Sequence, residues 1–204
     1  MPLRLLTAPT KYPLSLAEAK QHLRIEADDH DEDALVQTYV DAVVASFDAA
    51  DGKINFPLLS QSWALDLDWS FATGFDDPDV DESILLPLPP VTAVTAVKYR
   101  DSDGTLTTLS SAAYDVLLPE GRIAPIYGTS WPAPRYQRRA VTIEYTCGHT
   151  VQDAVPMNVR AAILLWVGHL YANREAVNVG NIVQTMPMSV SDLIDTKRVW
   201  RRIP

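Results

Sequence analysis

The run AAILLWVGHLY, Ala161 to Tyr171, constrains this chain more than any other stretch. Its 11 residues are apolar except for His169 and the small Gly168. A membrane span needs about 20 apolar residues, so the run is too short to be one. At helical spacing Val159, Ile163, Trp166 and Leu170 share one face, with Leu164, Val167 and Tyr171 on the adjacent side. A helix apolar nearly all round belongs in an interior. Other helices of the chain must therefore cover it.

Two such helices are legible near the N-terminus. In PLSLAEAKQHLRI, Ser15 and Glu18 have capping-box spacing, and Leu16, Ala19 and Leu23 form a one-sided stripe. The acidic linker DDHDED, Asp28 to Asp33, resembles a metal site at first glance. Acids just before a helix also complement its positive end and its unpaired amides, and that reading is preferred. Leu35, Val36, Tyr39, Val40, Val43, Val44, Phe47 and Ala50 then recur at three- and four-residue steps, and Gly52 offers a stop. Pro156 suits the first turn of the long apolar helix, because that position needs no N–H. PMSVSDLIDTKRVW adds a last short helix with Val190, Leu193 and Ile194 inward.

Between the helices the periodicity changes. SWALDLDWSF puts Trp63, Leu65, Leu67 and Trp69 on one face and Asp66 and Asp68 on the other, the pattern of a half-buried strand. VTAVKYRDSDGTLTTL reads as a hairpin turning at DSDG. AYDVLL and GRIAPI are short strand candidates, and AVTIEYT alternates strictly, with Val141, Ile143 and Tyr145 on one side. Pro87, Pro89 and Pro90 stiffen the segment before the hairpin. The expected fold class is α+β: a small bundle of about four helices with an inserted antiparallel β domain. Residues 1–59 supply the N-terminal helices, 60–150 the β insertion, 151–195 the C-terminal helices, and 196–204 a basic tail.

Composition narrows the chemistry. A chain of 204 residues is long enough to bury a core without staples. Its single cysteine, Cys147, excludes an intrachain disulfide and a CxxC knuckle. The first residues hold no long apolar core and no small-residue cleavage site, so no secretory signal is expected. None of His22, His30, His149 and His169 has a second ligand at metal-binding spacing. YRDSDGTLTTLS fails as a calcium loop: with Asp103-Gly104 at its fifth and sixth positions, Tyr99 and Ser110 stand where carboxylates are needed. No metal or cofactor is expected. Cys147 and His149, two residues apart in TCGHT, are better suited to a strand end than to a nucleophile pair.

The net charge is −9, unevenly spread. Four of the 17 basic residues, Lys197, Arg198, Arg201 and Arg202, lie in the last eight positions, leaving 13 against 26 acids in residues 1–195. Such an acidic body repels nucleic acid. Arg135, Arg138 and Arg139 in PRYQRRAV are the densest basic group outside the tail, and pairing with acids of this chain or a neighbour suits them better than phosphate.

An ordered set of segments resembles one family. SLAEAKQHLRI, SQSWALDLD, ILLPLPPVTAVTAVKYRDSDG, YDV, WP, VTIEYTCGH, VPMNVRAAILLWVGHLYANRE and MPMSVSDLIDTKRVW follow one another through nearly the whole chain. In that order they resemble the head–tail connector (head-completion adaptor) proteins of long-tailed bacteriophages and gene-transfer particles. The family often has tyrosine where this chain has His149, and Glu with Thr-Gly-Arg where it has DAADGK.

The resemblance implies a non-enzymatic structural virion protein, assembled in the host cytoplasm and placed at the head–tail interface. It implies a homo-oligomeric ring, typically of twelve subunits, beneath the portal protein. Such a ring extends the channel for double-stranded DNA, without sequence-specific binding, and carries the stopper or tail-completion protein. No membrane partner is implied. In the family the C-terminal segment reaches the portal. Here that maps to Lys197, Arg198, Val199, Trp200, Arg201, Arg202 and Ile203. Candidates for the contact between subunits are Arg160, His169, Arg174 and Glu175 on the edge of the apolar helix, with Arg135, Arg138 and Arg139. Two alternatives stand beside this reading: a Cys-His hydrolase using Cys147 and His149, and a DNA-binding accessory protein using the three arginines.

Overall fold

The computed structural model describes residues 3–50, 52–68, 83–118, 120–174 and 188–195. The chain divides into two compact units, one of sheet and one of helices.

The helical unit holds α1 (Leu16–Leu23), α2 (Asp33–Phe47), α3 (Met157–Ala172) and α4 (Met188–Asp195). Its core joins Val36, Val40, Val43 and Phe47 of α2 to Val159, Ala162, Ile163, Trp166 and Val167 of α3, with Val190 and Ile194 of α4. Leu164, Leu170 and Tyr171 pack on it from its margin. The long apolar helix is thus covered by its expected neighbours, though not on every side: Leu165 stays 40% exposed and Met157 75% exposed.

The start of α1 is set locally. The Ser15 hydroxyl accepts from the Glu18 amide at 3.2 Å, and the Ser15 amide donates to the Glu18 carboxylate at 2.8 Å. α1 ends where Arg24 turns left-handed, with φ 61°. At α2 the linker acids behave differently from simple caps. Glu32 occupies the N-cap position without a capping side-chain bond. Asp33 binds Lys20 at 2.7 Å and His30 at 2.7 Å instead. α2 also stops at Phe47, before Gly52, and Pro156 stands one residue outside α3 as its N-cap.

The second unit is built on an antiparallel five-stranded sheet in the order β1-β2-β8-β4-β5. Its strands are β1 (Leu3–Thr7), β2 (Gln61–Leu67), β4 (Val91–Arg100), β5 (Leu106–Leu109) and β8 (Val141–Cys147). Three short strands, β3 (Ile84–Leu85), β6 (Tyr114–Leu117) and β7 (Arg122–Pro125), form a second sheet in the order β3-β7-β6. β8 is central and alternates as its sequence demands: Val141, Ile143, Tyr145 and Cys147 are fully buried. The Tyr145 hydroxyl donates to the Pro87 carbonyl at 3.0 Å, and burial pushes its pKa well above the ordinary tyrosine value. The β4–β5 turn forms at DSDG, where the Asp101 carboxylate accepts from the amides of Asp103 and Thr105 and Gly104 takes φ 86°.

Two expectations are corrected. Residues 1–59 are not helical body throughout, because β1 pairs Leu3 with Leu65 and Leu5 with Trp63 and so joins the sheet. Five residues whose alternation breaks at Leu5-Leu6 carry too short a local strand signal; a partner about sixty positions away makes them a strand. Asp66 is not on an open face but only 2% exposed. Its carboxylate accepts from the Thr142 hydroxyl at 2.8 Å, with Arg4 at 3.6 Å and Arg139 at 3.7 Å. The cationic side chains from β1 and from the segment before β8 close over a face that alternation alone leaves in water. Trp69 lies outside the described residues.

Candidate functional site

The residues suited to chemistry do not make a reactive group. Cys147 is fully buried at the end of β8, its thiol directed at the Gln61 carbonyl at 3.9 Å. A reactive cysteine needs an accessible, charge-stabilised thiolate, which this setting does not provide. His149 is half-buried beside the Phe56 ring, and burial lowers its pKa. Among the described residues no group of three or more His, Cys, Asp or Glu side chains is placed to hold a metal ion, and no helix is long and apolar enough to cross a membrane.

The polar edge of α3 is engaged within the chain. Arg160 is 14% exposed and pairs with Glu18 and with Asp153 at 3.3 Å. Gln152 donates to the same Glu18 carboxylate at 2.5 Å. One glutamate thus caps α1 and ties it to α3. Burial raises the Glu18 pKa, but the Ser15 hydrogen bonds, Arg160 and Gln152 together hold it below the ordinary glutamate value. A depressed carboxyl pKa adds stability that is present above its unfolded value and lost as pH falls through the folded one. Glu18→Gln is therefore expected to lower stability by about 1–2 kcal/mol at neutral pH. It should also flatten the loss of melting temperature below pH 4.5, the ordinary glutamate value. Thermal melts of both proteins at pH 7 and pH 3.5 check this. Equal acid sensitivity in the two would show that Glu18 is not the group responsible.

At the other end of α3, Arg174 pairs with Glu32 at 2.6 Å and lies 4.6 Å from the Tyr171 ring centre. The Tyr171 hydroxyl donates to the same Glu32. Glu32 is held below its ordinary pKa by the Tyr171 and Arg174 hydrogen bonds. The Asn173 side chain donates to the His169 carbonyl at 2.9 Å, and the His169 ring is half-buried beside it. Glu175 and the tail positions Lys197, Arg198, Val199, Trp200, Arg201, Arg202 and Ile203 lie outside the described residues.

The three arginines separate in role. Arg139 binds Asp66, and its amide donates to the Asp68 carboxylate at 2.8 Å. Arg135 and Arg138 are exposed and form no ion pair among the described residues. The Arg135 amide donates to the Arg100 carbonyl at 2.8 Å, and its guanidinium lies over Gly104, 2.5 Å from where a Cβ there would stand. Between them Tyr136 is 83% exposed.

Sequence reasoning passed over two further features. One is Tyr127, fully exposed in the same loop as the Tyr136 of PRYQRRAV; its place beside Gly128 in a Pro-containing loop was a usable signal. The other is a cavity of about 640 Å³ lined by Leu16, Ala17, Ile25 and Ala27 together with His30 and Asp33. Nothing in the periodicity of α1 announces it, because it forms where the linker folds back over the helix. Lys20, 5% exposed, holds that fold by donating to the carbonyls of Ala27 and Asp29.

No family model matches the sequence, and no curated protein matches it. Solved structures do, over the full length. A chain from the virion of a native gene transfer agent (GTA) particle has TM-score 0.74 and 27% identity, with 100% of this chain and 98% of the other covered. A chain from the neck of an empty GTA particle, computed with C6 symmetry, has TM-score 0.72 and 27% identity at the same coverage. A chain from the neck of a native GTA particle, computed with C12 symmetry, has TM-score 0.70 and 25% identity, again covering 100% and 98%. This chain is built from end to end like a structural component of a gene transfer agent neck, which bears out its resemblance to the head–tail connector family.

Proposed function

We propose that the protein is a head–tail connector: a structural, non-enzymatic component of a virion neck that forms a ring under the portal. The observation that carries this is the full-length likeness to chains from necks computed with C6 and C12 symmetry. Twelve copies suit both symmetries. The ring would continue the DNA channel and carry the stopper or tail-completion protein. A body with 26 acids suits a channel along which DNA slides without counterion-releasing contacts. Met157 and Leu165 on α3 supply apolar surface that a neighbouring copy would cover.

The tail at 196–204 is the proposed portal contact. It combines Val199, Trp200 and Ile203 with four cations, and Trp and Arg are enriched at interface hot spots. Deleting 196–204 is expected to weaken portal binding by roughly 100-fold or more, with the circular dichroism and melting of the body unchanged. Co-sedimentation with purified portal, and electron microscopy of the complex, read both. A truncated chain that binds portal as well as the full chain overturns the assignment of the tail. An asymmetric or ringless complex of the full chain overturns the connector reading.

A further inference from the structure

We propose that the cavity beside α1 receives the Arg135–Arg138 strip of a second copy of this chain. Tyr136 would enter it, and Arg135 and Arg138 would meet the acids of the α1–α2 linker. The inference rests on the ring reading above and supplies the two halves of its repeating contact.

The acceptor half is preformed. Leu16, Ala17, Ile25 and Ala27 give the cavity apolar walls. Lys20 fixes the linker through two backbone carbonyls and Asp33. The volume, about 640 Å³, is in the range that accepts a bulky side chain with its flanks. Charge on the linker is left over. Asp33 and Glu32 are paired with Lys20 and Arg174. Glu26, Asp28, Asp29 and Asp31 are exposed and form no ion pair among the described residues.

The donor half has the opposite character. Arg135 and Arg138 are exposed cations in a chain of net charge −9, and they flank an exposed tyrosine. Arg139, the third cation of the strip, already serves Asp66. Two arginines without an ion pair among the described residues are few for holding a duplex, whose binding grows with the number of phosphates neutralised. They match the four exposed acids Glu26, Asp28, Asp29 and Asp31 on another copy well, with the tyrosine as the apolar anchor. The two halves are different surfaces, so each copy uses each once. A contact of that kind, repeated around an axis, closes into a ring when its rotation divides a full turn.

The test uses the full-length chain, with portal and at high concentration. Arg135→Glu with Arg138→Glu is expected to reduce ring yield roughly 10-fold or more, and so is Asp28→Arg with Asp31→Arg. All four changes in one chain should restore rings, because the charges match again. All these positions are exposed, and circular dichroism verifies folding. A second measurement keeps the anchor and both arginines: Gln137→Cys, beside Tyr136, with Ala27→Cys should give a ladder of oxidised oligomers under conditions where rings form. The native Cys147 is buried and should not contribute.

Rings at undiminished yield in both reversal variants, or rings without a cross-linked ladder, overturn this contact and leave the connector reading standing. Loss of rings that the fourfold variant does not repair also overturns it. If the arginine variant loses duplex DNA retention while ring yield holds, the strip is a nucleic-acid surface and the proposal is wrong. Absence of any ring from the unmodified chain overturns the connector reading, and this contact with it.

Discussion

Replacing Phe47 by alanine is expected to destabilise the helical unit by about 4 kcal/mol, as for other buried aromatic truncations. Phe47 is fully buried at the last turn of α2, its ring centre 5.2 Å from that of Trp166 on α3 and tilted by 48°. These rings join the N-terminal helices to the helix that most needs covering. Removing one leaves a cavity bounded by rigid helices that cannot close it. For a unit of about 100 residues the change corresponds to a fall of roughly 20 °C in melting temperature. Trp166→Phe is the control: the indole N–H finds no hydrogen-bond partner among the described residues, so losing it forfeits little. Thermal unfolding followed by circular dichroism distinguishes the two. A fall under 5 °C for Phe47→Ala would show that the α2–α3 core is not what holds the unit.

Gly52→Ala is expected to cost about 3 kcal/mol although the residue is not in the core. After α2 the chain turns back on the helix end. The Lys53 amide donates to the Ser46 carbonyl at 3.0 Å, and the Ala49 amide to the Phe56 carbonyl at 3.1 Å. A Cβ on Gly52 would stand 2.0 Å from the Phe47 carbonyl oxygen and 2.4 Å from that of Asp48. Both are backbone atoms, so no rotamer change relieves the clash. The turn must open, and the bond from the Leu58 amide to the Asp48 carboxylate is strained with it. Denaturant melts should show a lower midpoint for Gly52→Ala than for Ala49→Gly, which removes a side chain at φ 55°. A neutral Gly52→Ala would mean that the turn has a second packing.

These two positions differ in how visible they are beforehand. Phe47 belongs to a run of apolar residues at helical steps, and its burial follows from period alone. Gly52 has the composition of a helix stop, yet α2 ends five residues earlier. Its real constraint is the close passage of two backbone segments. The Ser15–Glu18 capping box, the DSDG turn and the alternation of β8 were likewise legible, since each depends on residues within a few positions of one another. The engagement of Arg160 was not. It needed Glu18, more than a hundred residues away, to be recognised as a partner as well as a cap.

By itself the sequence determined the class and order of the elements: helices, an antiparallel insertion, and helices again, with an ordered set of motifs resembling connector proteins. Local period, capping and turn chemistry suffice for that, because they act over one or two turns of chain. The tertiary structure decided where charge and surface remain. It recruited β1 to the sheet, buried Asp66 between arginines, occupied Arg160 and Arg174 within the chain, and left Arg135, Arg138, Asp28 and Asp31 exposed and without an ion pair among the described residues. The physical reason is that an ion pair or a groove is made by segments distant in sequence. No pattern along one segment records which distant group will arrive beside it.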